Sequence, residues 1–403
     1  MIKRKLDTAT LSLANLKAKP VRTTCLALVA AVLAFALFGG SIIALNLRQG
    51  LNVMTKRFGA DLMVVPQGAA EKAQDTILNG KTGYYYFDAS IINTIECIDG
   101  VACASPQFFL TSLLTDCCDA AVQLIAYDPK TDFVVQPWIT EKHNETVADG
   151  QVVAGSRITL RPNGTIKLYN REYPVAAQLS PSASGFDTSI FMTMNTMRLL
   201  IDTAHAEKYG FIADNYGDNI ISAVLIQASS SKKPSLIEAD LRRRVEGIDV
   251  LVSQGIFSGI AQSISGFENY IRGFSVIIWA MAIIVLAAVF SGNIHERKKE
   301  FALLRILGAT RKKLVAIVLS ESAVAVFAGS IAGIVLASLT VFPFSTYIGE
   351  RLALPYLDIP FLSIVLLAIV TIAISVLAGP LSSLYSALKI SRAETYFTMR
   401  EGE

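Results

Sequence analysis

The stretch HERKKEFALLRILGATRKK, residues 295–313, follows the apolar run GFSVIIWAMAIIVLAAVFSGNI (273–294) and soon gives way to SAVAVFAGSIAGIVLASLTVFPFSTYIG (322–349). A short, densely charged segment fenced by two lipid-length runs decides the fold class, because it places a membrane protein's charge in one loop. The two runs contain no Asp, Glu, Lys, Arg or His, and neither do Thr23–Leu47 and Ile359–Leu388. Each can cross a hydrocarbon core of about 30 Å at about 1.5 Å per helical residue. The runs 322–349 and 359–388 exceed that need, so tilt or extension beyond the lipid is expected. Four transmembrane helices follow.

Composition agrees. The chain has 403 residues, 52% hydrophobic and 17% charged, where soluble domains carry about 25% charge. Mean hydropathy is +0.48. A net charge of +3 is small and scattered, which argues against a nucleic-acid partner. The first run is read as a retained helix and not as a signal peptide. It is longer than an h-region of roughly 7–15 residues, and 22 residues precede it.

Lys and Arg near the spans set the orientation. Six lie in residues 1–22, seven in 295–313 and three after Leu388, against Arg351 alone in 350–358. Both termini and the 295–313 loop are therefore expected in the cytoplasm, with residues 48–272 outside. The expected organisation is an interfacial amphipathic helix (1–22), helix one (23–47), an external domain (48–272) and helix two (273–294). A cytoplasmic coupling segment (295–313), helix three (314–349), a short external loop (350–358), helix four (359–388) and a tail (389–403) complete it. In the first segment Leu6, Ala9, Leu13 and Leu16 fall near helical spacing among lysines, and Pro20 ends the run.

The external domain is large enough for its own core. Leu47, Leu51, Met54 and Phe58 form one near-heptad stripe, and Ile256, Ile260, Ile264, Phe267 and Ile271 form another. They predict that helices one and two continue outward as a paired stalk. Between them DLMVV, VQLIAY, QVVAGSRI, TIKLYNREYPVAAQL, TSIFMTM and NIISAVLIQ read as strands, and LIEADLRRRV after the loop SSSKKPS reads as a helix. The predicted class is α+β.

Within 295–313, Phe301, Leu304 and Leu307 recur every three residues with charges around them, and Gly308 is placed to end a short helix. A positive-inside loop would explain the charge but not the apolar stripe. The segment is read as a docking helix for a cytoplasmic partner. Together, ERKKEFALLRILGATRKKLVAIVLSESAVAVFAGSIAGIVLA, SLANLKAKPVRTTCLAL, GADLMVVP and the external run from Gln151 to Leu200 resemble the MacB/FtsX-type (type VII) ABC transporter permeases. These include LolC/LolE lipoprotein extractors and HrtB-like haem exporters. The resemblance implies that Glu296, Arg297, Glu300, Leu303, Leu304, Arg305, Gly308 and Ala309 belong to a coupling helix inserted into a groove of a separate ATPase. The tail LKISRAETYFTMR departs from the family in lacking a proline.

The chain offers no nucleotide site of its own. A Walker A loop needs GxxxxGK[ST]. The nearest approach is Gly80-Lys81-Thr82, where Asp75 stands in place of the first glycine. No cofactor is expected here, ATP and Mg belonging to the partner. Ala325, Gly329, Gly333 and Ala337 form a small-xxx-small stripe, which serves close helix packing and leaves dimerisation open. Glu321, one step before it, is a candidate for an ion pair or for coupling. Otherwise the spans carry scattered Ser, Thr and Asn, which suits transmission rods better than a polar channel lining. Cys97, Cys103, Cys117 and Cys118 are all external. A bridge from Cys97 or Cys103 to Cys117 or Cys118 and packing thiols remain alternatives, while the spacings match no strong metal or haem pattern. The aromatic run Tyr84-Tyr85-Tyr86-Phe87 reads first as a strand edge and second as a contact for a hydrophobic substrate or for the outer membrane face.

The expectation is therefore a permease subunit of an ABC transporter in the cytoplasmic membrane. It would be a homodimer with two ATPase subunits, and it would drive export or extraction by mechanotransmission. The alternatives are an FtsX-like signalling subunit acting on an external protein partner, such as a cell-wall hydrolase, or a peptide-antibiotic sensor.

Overall fold

The computed structural model describes residues 20–112, 117–143, 147–207, 219–306, 309–351 and 354–392. Most of the expected interfacial helix (1–22) and of the tail (389–403) lies outside them. The chain divides into two compact units, one of residues 47–263 and 348–357, the other holding the remaining described residues.

The first unit is α+β and centres on a nine-stranded sheet. Its strands are β1 (Leu62–Pro66), β3 (Val101–Thr111), β4 (Gln123–Tyr127), β5 (Val152–Ala154), β6 (Thr165–Leu168), β7 (Arg171–Gln178), β8 (Ser189–Thr193), β10 (Ala223–Ala228) and β11 (Ile248–Val252). They lie in the order β11-β1-β10-β3-β4-β8-β5-β7-β6. Pairing is antiparallel except for β4–β8 and β5–β7, which are parallel. The short strands β2 (Phe87–Asp88) and β9 (Ile220–Ile221) form a separate pair.

Both faces of the sheet are covered, which is why its strands read as apolar runs and not as clean alternation. Leu62 and Val64 of β1 face a cluster with Ile95 of α3 (Ile91–Glu96) and Ile237 and Leu241 of α6 (Pro234–Arg244). Met63 and Val65 face the opposite cluster, with Ala73 and Ile77 of α2 (Ala70–Asn79) and Val135 and Trp138 of α4 (Val135–His143). Helix α5 (Met194–Ala206) covers β4, β8 and β5 through Met197, Leu200 and Ile201.

Two long helices enter this unit. Helix α1 runs from Pro20 to Phe58 and α7 from Ser253 to Ile306, each unbroken. Met54, Phe58, Ile256 and Phe257 are buried in the same cluster as Met63 and Val65, and the Phe58 and Phe257 rings meet edge to face at 5.6 Å. The stalk stripes therefore end in the domain core. The pattern is not wholly a paired seam, since Phe267 is 43% exposed.

The second unit holds the apolar parts of α1 and α7 with α8 (Arg311–Arg351) and α9 (Phe361–Arg392). Among the described residues, four helices are long and apolar enough to cross a membrane. Leu26, Ala30 and Leu33 of α1 meet Ala282 and Leu286 of α7, Ala325 and Val326 of α8 and Ala378 of α9. Further along α1, the buried Asn46 donates to Asp358 Oδ1 (3.3 Å) and accepts from the Ile359 amide (3.1 Å).

At one end of the sheet the segment Cys117–Asp119 lies along β6. Asp119 accepts from Lys167 N (2.8 Å) and takes a bidentate grip from Arg161. The Arg161 guanidinium and the Lys167 amide hold the Asp119 carboxyl below the usual carboxylate range. A depressed folded pKa gives stability that is present above the unfolded value of about 3.9 and lost as pH falls through the folded one. Asp119→Ala is therefore expected to cost about 1 kcal/mol, or about 2–4 °C, at neutral pH. Thermal melts of both proteins should differ by a constant amount down to about pH 5 and converge below about pH 4. A pH-independent gap would show that the charge is not what Asp119 contributes.

Candidate functional site

The charged segment forms the C-terminal end of α7. Helix α7 passes through Glu296, Arg297, Glu300, Phe301, Leu303, Leu304 and Arg305 to Ile306, and α8 begins at Arg311. The expected separate short helix is thus a continuation of the span. The physical reason is composition: between Asn293 and Ile306 there is neither glycine nor proline, and most residues are good helix formers. Leu303 is 57% and Ile306 63% exposed, with Arg305 half-buried beside them. Leu307 and Gly308 lie outside the described residues, as do the side chains of Glu296, Arg297, Glu300, Phe301 and Leu304. Ala309 packs with Leu314 and Val318. The hydroxyl of Thr310 accepts from Lys313 N at 3.4 Å and opens α8.

Beyond it, Glu321 is 1% exposed. The next residue, Ser322, shares a hydrogen bond with Ser383 of α9 at 3.1 Å. The small-residue stripe faces α1. A Cβ at Gly329 would fall 2.2 Å from the Ala27 carbonyl oxygen, and one at Gly333 would fall 2.2 Å from that of Ala31. Ala325 and Ala337 are fully packed on the same side, and Ala337 lies 3.8 Å from the Cβ position of Gly39. The stripe is therefore occupied within the chain and leaves no room for a second copy on that face.

The hydroxyls of the spans are mostly turned onto their own helices. Ser330 donates to Val326 O, Ser338 to Ile334 O, Thr371 to Leu367 O and Ser382 to Gly379 O. Ser375 Oγ is buried without a hydrogen-bond partner.

In the other unit, none of the cysteines is in a disulfide. The expected bridge from Cys97 or Cys103 to Cys117 or Cys118 is not formed, and for Cys103 the length of β3 stands against it. Cys103 lies near the start of β3, about 26 Å along the strand from Thr111, whose carbonyl accepts from Tyr169 OH at 2.5 Å. Tyr169 N in turn donates to Cys118 Sγ at 3.3 Å. Bridged Cα atoms must lie within about 7 Å. Burial, with Glu96 and Asp132 nearby, pushes the Cys103 thiol up, away from thiolate reactivity. No group of three or more metal-ligating side chains occurs among the described residues.

Gly80-Lys81-Thr82 does not cradle phosphate. Gly80, at φ +67°, caps the C-terminus of α2, and Lys81 Nζ pairs with Asp75 Oδ2 at 2.9 Å. A phosphate loop needs a helix N-terminus; here carbonyls point at the loop. Of the aromatic run, Tyr85 packs edge to face on Phe109, Tyr86 stacks on Phe108, and Phe87 enters β2. Tyr84 alone is exposed, at 66%. The Asn46 clamp was not singled out from sequence, since one asparagine at the end of an apolar run carries no pattern.

Replacing Gly329 by Leu should force α8 away from α1 and destabilise the helical unit by about 1–3 kcal/mol. In detergent, the thermal aggregation midpoint of Gly329→Leu should fall by several degrees, while Val335→Leu on an exposed position of α8 should match wild type. Equal midpoints would contradict the close α1–α8 contact.

Among known structures, the periplasmic region of MacB from Actinobacillus actinomycetemcomitans is similar at 12% identity and TM-score 0.32, over 51% of this chain and 95% of that one. The extracellular domain of the noncanonic ABC-type transporter YknZ from Gram-positive bacteria is similar at 14% identity and TM-score 0.24, over 48% and 98%. Scores this low carry no inference. No curated protein shows significant similarity to the chain. The family described as FtsX-like permease C-terminal matches residues 272–394, from the apolar part of α7 through α9. Over that stretch, the chain is similar to FtsX-like permeases.

Proposed function

We propose that this chain is the membrane subunit of an ABC transporter that turns ATP hydrolysis on a separate ATPase into movement of its external domain, for export or extraction of a substrate. The observation that carries the reading is helix continuity. Helices α1 and α7 are each unbroken and contribute Phe58 and Phe257 to the domain core. A helix with a full ladder of backbone bonds is stiff along its axis, so displacement at one end reaches the other. The hydroxyls bonded back onto their own helices support the same reading, because they leave few polar groups to line a path through the lipid.

In this reading the inner end of α7 is the handle. The exposed Leu303 and Ile306, together with Phe301, Leu304 and Leu307, would be covered by the ATPase, at ~25 cal/mol per Å² of apolar area. Glu296, Arg297, Glu300 and Arg305 would set orientation more than affinity, and Gly308 and Ala309 belong to the same proposed coupling motif. Both termini are placed in the cytoplasm and residues 48–272 outside, from the Lys and Arg distribution. The working assembly is two copies of this chain with two ATPases, and the stripe from Ala325 to Ala337 is not their seam.

Leu304→Asp should insert in the membrane normally and lose the ATPase, with association weakened at least tenfold, or about 1.4 kcal/mol. Co-purification of the variant complex at wild-type yield would refute the docking assignment. Turnover of the intact complex that rises with added substrate would separate transport from signalling.

A further inference from the structure

We propose that Cys117 and Cys118 are joined to each other as a vicinal disulfide in the mature external domain. The inference rests on the outward placement of residues 48–272 proposed above. Neighbouring side chains in extended backbone point to opposite sides. Here the chain turns so that both thiols enter one apolar cluster, with Cys117 3% and Cys118 7% exposed. Their sulfurs lie 3.0 Å apart, about 1 Å beyond the 2.03–2.05 Å of a disulfide bond.

The segment is pinned in that posture. Asn170 N donates to Cys117 O (2.9 Å), Tyr169 N to Cys118 Sγ (3.3 Å) and Asp119 N to Lys167 O (3.0 Å). Tyr169 and Asn170 form the two-residue turn between β6 and β7, with φ of 48° and 64°. A buried Tyr in this left-handed conformation is unusual, and its hydroxyl is tied to Thr111 O. These bonds hold the backbone of the segment against the β6–β7 turn while the two sulfurs lie side by side. A bridge also removes two S–H donors from apolar surroundings.

The chemistry balances by thiol–disulfide exchange with a disulfide-bearing oxidant of the external space. One cysteine thiolate attacks the donor disulfide, forming a mixed disulfide and releasing one donor thiolate. The neighbouring thiolate then attacks that cysteine's sulfur and expels the second. Two electrons pass to the donor, which becomes a dithiol, and the cysteines lose two protons. The exchange takes place while the segment is still open during folding. The closed loop is too short to restrict the unfolded chain much, so the bridge acts on conformation: it fixes the turn that lies along β6.

The test uses the full chain in its own membrane. Intact cells are treated with a membrane-impermeant maleimide, then denatured with excess N-ethylmaleimide without reduction, and the peptides are weighed. The expected peptide carries both Cys117 and Cys118 unalkylated and two hydrogens lighter than the dithiol, gaining two labels only after reduction. Cys97, which is exposed, should take the impermeant label. Two alkylated residues at 117 and 118 without reduction, or either one bridged to Cys97 or Cys103, overturn the proposal. If the pair is alkylated while Cys97 takes the impermeant label, the bridge alone falls. If Cys97 is labelled only after permeabilisation, the outward placement falls with it.

Discussion

Within the helical unit the decisive constraint is that α8 and α1 touch through backbone. No side chain larger than hydrogen fits at Gly329 or Gly333, because the carbonyl oxygens of Ala27 and Ala31 already occupy the space. In lipid there is little hydrophobic gain from bringing helices together, so such contact must come from dispersion and close approach. The packing of Leu26, Ala30 and Leu33 against Ala325 and Val326 follows from it. So does the freedom of the remaining helix faces, where Ile277, Met281, Ile331 and Leu366 are exposed to whatever surrounds the protein.

The helical part was legible in the sequence because its signal is long and unambiguous. Four charge-free runs and the placement of Lys and Arg gave the helices and their order. Helix α7 runs on past Ile294, where the charge-free span ends, for a physical reason. Loss of hydropathy marks the edge of the lipid, not the end of a helix, and nothing between Asn293 and Ile306 breaks one. The stalk stripes were correctly seen as helical but given too narrow a role, since Met54, Phe58, Ile256 and Phe257 also finish the core of the sheet domain.

The strands were harder. DLMVV, VQLIAY and TSIFMTM are dense in β-branched and aromatic residues and sit where strands form. The longest strand, β3, passed unread: VACASPQFFLT opens with small residues and holds Pro106. That proline lies just beyond the β4 ladder, which begins at Gln107, so a residue that argues against a central strand is tolerated where only β10 flanks it. The cysteines left two readings open, a long bridge or packing thiols, and the length of β3 stands against the bridge because it carries Cys103 away from Cys117.

The two ends of the large sheet have a bearing on how anything recognises this domain. Along β6 the Asp119 segment takes the Lys167 amide and carbonyl. On β11 the Arg242 guanidinium takes the Val250 carbonyl, and Asp249 is spent on the Gly68 amide. A ligand that binds by adding its own strand would have to displace the Asp119 segment on β6, and the Arg242 side chain from Val250 on β11. The same contacts hinder the domain from pairing with its own copies rim to rim, as side chains and covering segments do on exposed sheet edges.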